Sequence, residues 1–189
     1  MARDTHSIVK MSRREGYALH PKAHKALVKR PTPPGQHGNS RSGMRNKTSQ
    51  YALQLREKQK VKRLYGLLEK QFSNLMAEAS RKQGQSGQVL LQLLEQRLDN
   101  AVYRAGFAPS RRAARQLVTH GHFTLNGVRV DIPSIRLKAG DEFTVREHSK
   151  NTEYFKKLDD VSPAPPTIPE WLKVDRKKVS VKVLSVPAR

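Results

Sequence analysis

The chain has 189 residues, with 37 Lys and Arg against 16 Asp and Glu, a formal net charge of +21 and no cysteine. An excess of that size goes beyond solubility and implies a polyanionic partner, while the missing cysteines exclude disulfides and thiolate metal sites and fit a reducing compartment. No apolar run approaches the roughly 20 residues of a spanning helix, which puts nucleic acid ahead of a membrane, and Met1, Ala2, Arg3 and Asp4 lack a signal peptide's apolar core, so a cytoplasmic location is expected.

Residues 1–47 carry 11 basic against 2 acidic side chains and four prolines. A segment of that composition buries too little apolar surface to fold alone, and a basic extended arm is expected. The core is expected further on, where most of the Leu, Val, Phe and Tyr lie. Within the arm, His20 and His24 have the i, i+4 spacing of a helical metal pair, but Pro21 fits only a helix's first turn and no third ligand is evident, so no metal is expected.

Thr48 is a candidate cap for a first helical block, in which Tyr51, Leu55, Leu64, Tyr65, Leu67, Leu68, Phe72, Leu75 and Met76 recur at helical spacing. Gly66 is expected to bend or end one helix before another carries Phe72 to Ala79. Arg56, Lys58, Lys60, Lys62 and Arg63 form a cationic strip interrupted by Glu57. A solvated helix face is the plain reading of such a strip, and the charge of the whole chain favours phosphate contacts.

Gly84, Ser86 and Gly87 mark a linker. The next helix has Val89, Leu90, Leu93, Leu94, Leu98 and Val102 as its apolar side, with Arg97 and Arg104 projecting near its edge. Arg97, Arg104 and Arg111 are seven residues apart, which returns a side chain to nearly the same helix face after two turns, although Pro109 interrupts the second interval. After a turn through Gly106 and Pro109, Ser110 is positioned to cap a helix with Arg111, Arg112, Arg115 and Gln116 outward and Ala114, Leu117 and Val118 inward. Arginines in a first turn oppose the helix dipole, and an arriving RNA phosphate reverses that balance by meeting guanidinium groups and exposed amides together. Gly121, between His120 and His122, is expected to terminate the helix. Phe123 and Leu125 alternate with polar residues, Asn126-Gly127 predicts a tight hairpin, and Val128 and Val130 follow. Ile132 to Leu137 and Phe143 to Val145 are expected to complete a small antiparallel sheet under two helices. The fold class is α+β.

The residues also carry a resemblance. Arg97-Leu98-Asp99-Asn100, Tyr103-Arg104, Gly106-Phe107-Ala108, Ser110-Arg111, Ala114-Arg115-Gln116-Leu117-Val118, His120-Gly121-His122 and Asn126-Gly127 resemble the RNA-binding domain of the bacterial small-subunit ribosomal protein S-four family. Arg13-Arg14-Glu15-Gly16, Pro33-Pro34-Gly35-Gln36-His37-Gly38, the run from Leu53 to Lys60, Tyr65-Gly66 and Pro169-Glu170-Trp171-Leu172 look like the family's other signatures, in the same order, so the resemblance spans almost the whole chain.

It implies an arm over 1–47, a helical domain over 48–88, an inserted RNA-binding module over 89–150, and a helix with a C-terminal segment over 151–189 that returns to complete the helical domain. It further implies a non-catalytic, cofactor-free constituent of the small subunit, a primary binder of a helix junction in the 5′ domain of 16S rRNA. Such a protein nucleates assembly of the subunit body, lies near the mRNA entrance beside protein S-five and bears on translational accuracy. Carried over position by position, the implied RNA contacts are Arg97, Arg104, Ser110, Arg111, Arg112, Arg115, Gln116, His120, His122, Asn126 and Arg129. Arg14, the loop at Gln36 and His37, and the strip of Arg56, Lys58, Lys60, Lys62 and Arg63 extend that surface.

Many relatives hold the arm with cysteine-bound zinc, where this chain has Val9 and Ser12, so no zinc is expected. The chain closes on Val186-Pro187-Ala188-Arg189 without the acidic, aliphatic tail of many relatives, which leaves the contact with S-five without that element.

Two other classes compete. A helix-turn-helix DNA regulator also fits the pair of helices between Val89 and His120, but it predicts an apolar dimer face that is not evident. Arg97-Leu98-Asp99 matches a motif of pseudouridine synthases, which require a large catalytic domain that no stretch here supplies. Asp99 is expected to pair with a neighbouring arginine or to cap a local turn, and Tyr103, Phe107 and Phe123 to pack in the core.

Overall fold

The computed structural model describes residues 4–35 and 49–187, which leaves the expected contacts at Gln36 and His37 and the expected cap at Thr48 outside the described residues. The chain divides into two units, Met1–Ser73 and Asn74–Arg189.

In the first unit the segment expected to be extended forms two helices, α1 (Ile8–Glu15) and α2 (Pro21–Lys29). The few apolar residues there suffice because a third helix, α3 (Gln50–Leu64), packs against α1, and Met11, Leu19 and Ala23 are buried. Polar groups close the arm as well. The Ser12 hydroxyl donates to the Ile8 carbonyl (2.8 Å) and accepts the Leu19 N–H (3.2 Å), and Arg13 donates to the carbonyls of Arg30 (3.2 Å) and Thr32 (3.1 Å). Pro21 occupies the first turn of α2, where its missing N–H costs nothing, and the His20 ring accepts the Lys22 N–H at 3.1 Å. That makes His20 a helix cap. Ser49 caps α3 by accepting the Ala52 N–H at 3.2 Å, and α4 (Glu69–Arg81) follows the turn at Gly66.

In the second unit the single helix expected from Val89 onward is two, α5 (Ser86–Glu95) and α6 (Leu98–Arg104). The break has a physical cause. Residues 133–137, read from sequence as sheet, run past the break: the carbonyls of Ile135 and Pro133 accept the N–H groups of Leu98 (2.9 Å) and Asp99 (3.2 Å), while Leu137 donates to Gln96 (2.9 Å). Those carbonyls satisfy the first amides of α6, which has no side-chain cap, and Arg97 takes an extended conformation to meet Arg136 in an isolated bridge.

α7 (Arg111–Thr119) begins at Ser110, whose hydroxyl accepts the Ala113 N–H at 3.2 Å. β1 (Phe123–Leu125) and β2 (Val128–Val130) form a hairpin across Asn126 and Gly127, both at positive φ. β3 (Glu142–Val145) pairs with β1, and three short helices follow: α8 (Glu147–Lys150), α9 (Glu153–Lys156) and α10 (Leu158–Val161). The C-terminal segment, expected to return to the helical domain, instead adds β4 (Leu172–Asp175) and β5 (Ser180–Val183) to this sheet. The order is β2-β1-β3-β5-β4, with every pairing antiparallel. Period-two alternation explains the outcome: Val181 and Val183 are buried while Lys182 is exposed, so the strand carries one apolar face to the same core as Phe143.

That core joins α6 and α7 to the sheet through Leu98, Val102, Phe107, Ala114, Val118, Phe123, Phe143 and Val145, with Phe155, Trp171 and Val181 arriving from the C-terminal part. The turn at Gly106 ties the layers together, since its carbonyl accepts from the Ser162 hydroxyl (2.9 Å) and from Arg176 (3.1 Å). Gly106 has φ +78, and a Cβ there falls 2.4 Å from Cδ of the Pro165 ring, which has little freedom to move. Gly106→Ala is therefore expected to destabilise the protein by about 2–4 kcal/mol, the sum of left-handed strain and overpacking, measured as a lowered urea midpoint.

Candidate nucleic-acid interface

The arginines read as outward-facing contacts divide into two sets. Arg97 and Arg115 are 5% and 9% exposed, and both point at Asp99: Arg97 donates through Nε (3.1 Å) and Nη2 (2.8 Å), and Arg115 through Nη1 at 3.5 Å. Asp99 also accepts the Asn100 N–H at 2.9 Å. Burial pushes the Arg115 pKa down, Asp99 opposes that, and Arg97 adds to it. Arg115 thus belongs to the inner side of α7 and not to its outer face. Its position three residues before Val118 and one after Ala114 places it on the buried stripe.

The second set is held at the edge. Arg104 grips the buried carboxylate of Glu95 with Nε (3.0 Å) and Nη2 (2.7 Å), and Asn100 donates to the same carboxylate at 2.7 Å. The Asn100 amide oxygen in turn accepts from Arg111 Nε at 2.8 Å, and the Arg111 guanidinium lies over the Tyr103 ring, 4.6 Å from its centroid. Arg111 is thereby fixed by a hydrogen bond and by a cation–π contact. Glu95 and Asn100 escaped the sequence reading, and the signal was a carboxylate set among Leu93, Leu94 and Leu98, where a charge needs a partner.

Arg112, Gln116 and His120 are exposed and recur every four residues, which lines them along one ridge of α7. His120 and His122 part company around Gly121. His122 is half-buried, with Nδ1 3.0 Å from the Ser149 hydroxyl and its ring edge-on to Phe155, and burial, then His120 and Arg146, lower its pKa. Asn126 is exposed but anchored, donating to Asp141 (2.9 Å) and accepting the Glu142 N–H (2.9 Å), so its amide closes the hairpin against β3. The exposed Arg129 lays its guanidinium against Gly121, 2.8 Å from where a Cβ would sit.

In the first unit the basic strip is interleaved with carboxylates from other helices. Arg56 (3.3 Å) and Arg63 both donate to Glu15 of α1, whose side chain is fully buried. Hydrogen bonds from Lys58, then Lys62, hold the Glu69 carboxyl down at about 2. Lys60 pairs with Glu57 (2.6 Å) beneath the Tyr17 ring. The strip is a charge-paired lattice, and a linear scan that saw only Glu57 missed the acids of α1 and α4. Arg14 is exposed beside a cavity of about 670 Å³ also lined by Lys10, Met11, Lys62, Arg63 and Leu67. No group of three or more His, Asp or Glu able to hold a metal occurs among the described residues.

Two helices packed on an antiparallel sheet, bearing a polar cationic ridge in a chain of net charge +21, define a structural RNA-binding protein. Residues 3–95 match the family model described as the ribosomal protein S4/S9 N-terminal domain, and residues 96–143 match the S4 domain. The whole chain is 52% identical to small ribosomal subunit protein uS4 of Chlorobaculum tepidum over 190 residues and 53% identical to that of Pelodictyon phaeoclathratiforme, covering 91% of each. It is 50% identical over 195 residues to the protein of the same name from Clostridioides difficile, again covering 91%. The chain belongs to the small ribosomal subunit protein uS4 family, and it is a structural ribosomal protein, not an enzyme.

Proposed function

We propose that this chain is a primary 16S rRNA-binding protein, that it docks on a helix junction of the 5′ domain through residues 89–150, and that this contact nucleates assembly of the subunit body. In this reading it works in the cytoplasm within the small subunit, near the mRNA entrance and next to protein S-five, where it bears on translational accuracy.

The supporting observation is the ridge of Arg112, Gln116 and His120, flanked by the anchored Arg104 and Arg111. A rigid row of donors on a helix suits the phosphates and 2′-hydroxyls of folded RNA better than base edges in a duplex groove. Ser110 and Arg129 extend the surface, whereas Arg97 and Arg115 support it from inside, and the paired strip from Arg56 to Arg63 in the first unit supplies RNA contacts of its own.

The test is competition binding of the purified protein to a 16S 5′-domain fragment at near-physiological salt with excess tRNA and duplex DNA. The fragment is expected to win, and equal competition by all three leaves only a generic polycation. Arg112→Glu with Gln116→Glu is expected to weaken the specific complex by about 100-fold or more, by losing donors and adding repulsion. Lys177→Glu with Lys178→Glu, which removes more positive charge at the exposed turn after β4, is expected to cost about tenfold or less. Equal losses from the two pairs overturn the assignment of the contact to α7.

A further inference from the structure

Glu95 is 3% exposed in a protein whose partner is an anion, and Asn100 is 2% exposed beside it. Neither side chain reaches the exposed ridge. A buried ion pair is poor at adding stability, because desolvation offsets the attraction and a well-packed apolar pair often does as well. What such a pair supplies is direction. The two parallel bonds from Arg104 to Glu95 fix the plane of that guanidinium, and Asn100 links the same carboxylate to Arg111 through its two ends, amide nitrogen to Glu95 and amide oxygen to Arg111. Tyr103 sets the tilt of the second guanidinium. Glu95 and Asn100 therefore join two arginines seven residues apart, one at the end of α6 and one at the start of α7, across the turn at Gly106.

We infer that Glu95 and Asn100 are positioning residues for RNA recognition: they hold Arg104 and Arg111 as one preorganised pair, so that cognate RNA meets two guanidinium planes already oriented. The inference rests on the proposed rRNA-binding function. A guanidinium is planar with its donors in a fixed fork, so holding part of it fixes the orientation of the whole group toward an RNA phosphate. Preorganisation raises affinity by removing the ordering cost at binding.

The sign of one substitution separates this role from simple charge. Glu95→Gln removes a negative charge next to the interface, so a surface acting through net charge binds every RNA more tightly. Positioning predicts the opposite for cognate RNA alone. With the full chain, Glu95→Gln is expected to bind the 16S 5′-domain fragment about tenfold more weakly while binding bulk tRNA as well as the parent or better. Asn100→Ala, which changes no charge, is expected to lose cognate affinity in the same way.

Circular dichroism checks folding. A variant that unfolds loses both affinities together, and in that event Arg111→Lys, a surface change that keeps the charge but cannot make the same pair of contacts, is the deciding arm. Cognate affinity and selectivity equal to the parent's in the folded variants overturn the inference. If the parent itself does not prefer the 16S fragment over tRNA, the functional reading fails instead, and the two failures are distinct.

Discussion

Asp99→Ala is expected to lower the unfolding free energy by about 3–5 kcal/mol, the cost of leaving buried charges without their counter-ion. The Asp99 side chain is 7% exposed, and the two side chains it neutralises are 6% (Arg97) and 10% (Arg115) exposed. Removing the carboxylate strands two guanidinium groups that already repel each other, as the downward push of Arg97 on Arg115 records. It also takes away the acceptor for the Asn100 N–H. Asp159→Ala is the matched control: that carboxylate pairs with Arg176, but its side chain is 90% exposed, and its loss is expected to cost no more than about 1 kcal/mol. Urea unfolding followed by circular dichroism measures both. Equal effects mean that the Arg97–Asp99–Arg115 cluster is held no more tightly than a surface pair.

The seven-residue rhythm of Arg97, Arg104 and Arg111 predicts nearly one helix face, with an interruption at Pro109. The helix expected over the first interval opens at Arg97, because carbonyls of residues 133–135 take over as acceptors for the first amides of α6. Arg97 consequently turns inward to Asp99, while Glu95 and Asn100 link Arg104 to Arg111. Local periodicity contains no term for a distant strand-like segment that satisfies a helix start. The pairing of Asp99 with a neighbouring arginine, the cap at Ser110, the end of α7 before Gly121 and the Asn126-Gly127 hairpin were legible, since each depends on residues within a few positions of one another.

Long-range partners account for the other differences. Residues 172–175 and 180–183 alternate as strands should, but nothing in that alternation says which sheet they join, and only the free edge of β3 decides it. The acids that neutralise the basic strip of α3 stand 41 to 48 residues from Arg56 and Arg63 in the case of Glu15. A count of charge along the chain is therefore a sound guide to the kind of partner and a poor one to which cations meet it. Of the four α7 side chains that amphipathic spacing places outward, Arg112 and Gln116 are exposed, Arg111 is half-buried and Arg115 is buried.

Phe123→Ala is expected to cost about 3–5 kcal/mol, the usual penalty for emptying a fully buried aromatic site. Phe123 opens β1 directly after the turn that ends α7 and is 0% exposed. Its ring meets Phe143 of β3 and Phe155 of α9 edge-on, each with centroids 6.3 Å apart, so three elements lose packing together. None of its atoms belongs to the ridge of Arg112, Gln116 and His120. Stability and RNA affinity are thus expected to separate: the urea midpoint falls, while affinity for the 16S fragment, measured where the variant is fully folded, stays within about threefold of the parent. A large affinity loss in the folded variant requires that the ridge take its shape from the aromatic core, and α7 would then not be a self-supporting surface. An unchanged midpoint would mean that the core closes around the lost ring, which the convergence of three elements on one side chain makes the less favourable outcome.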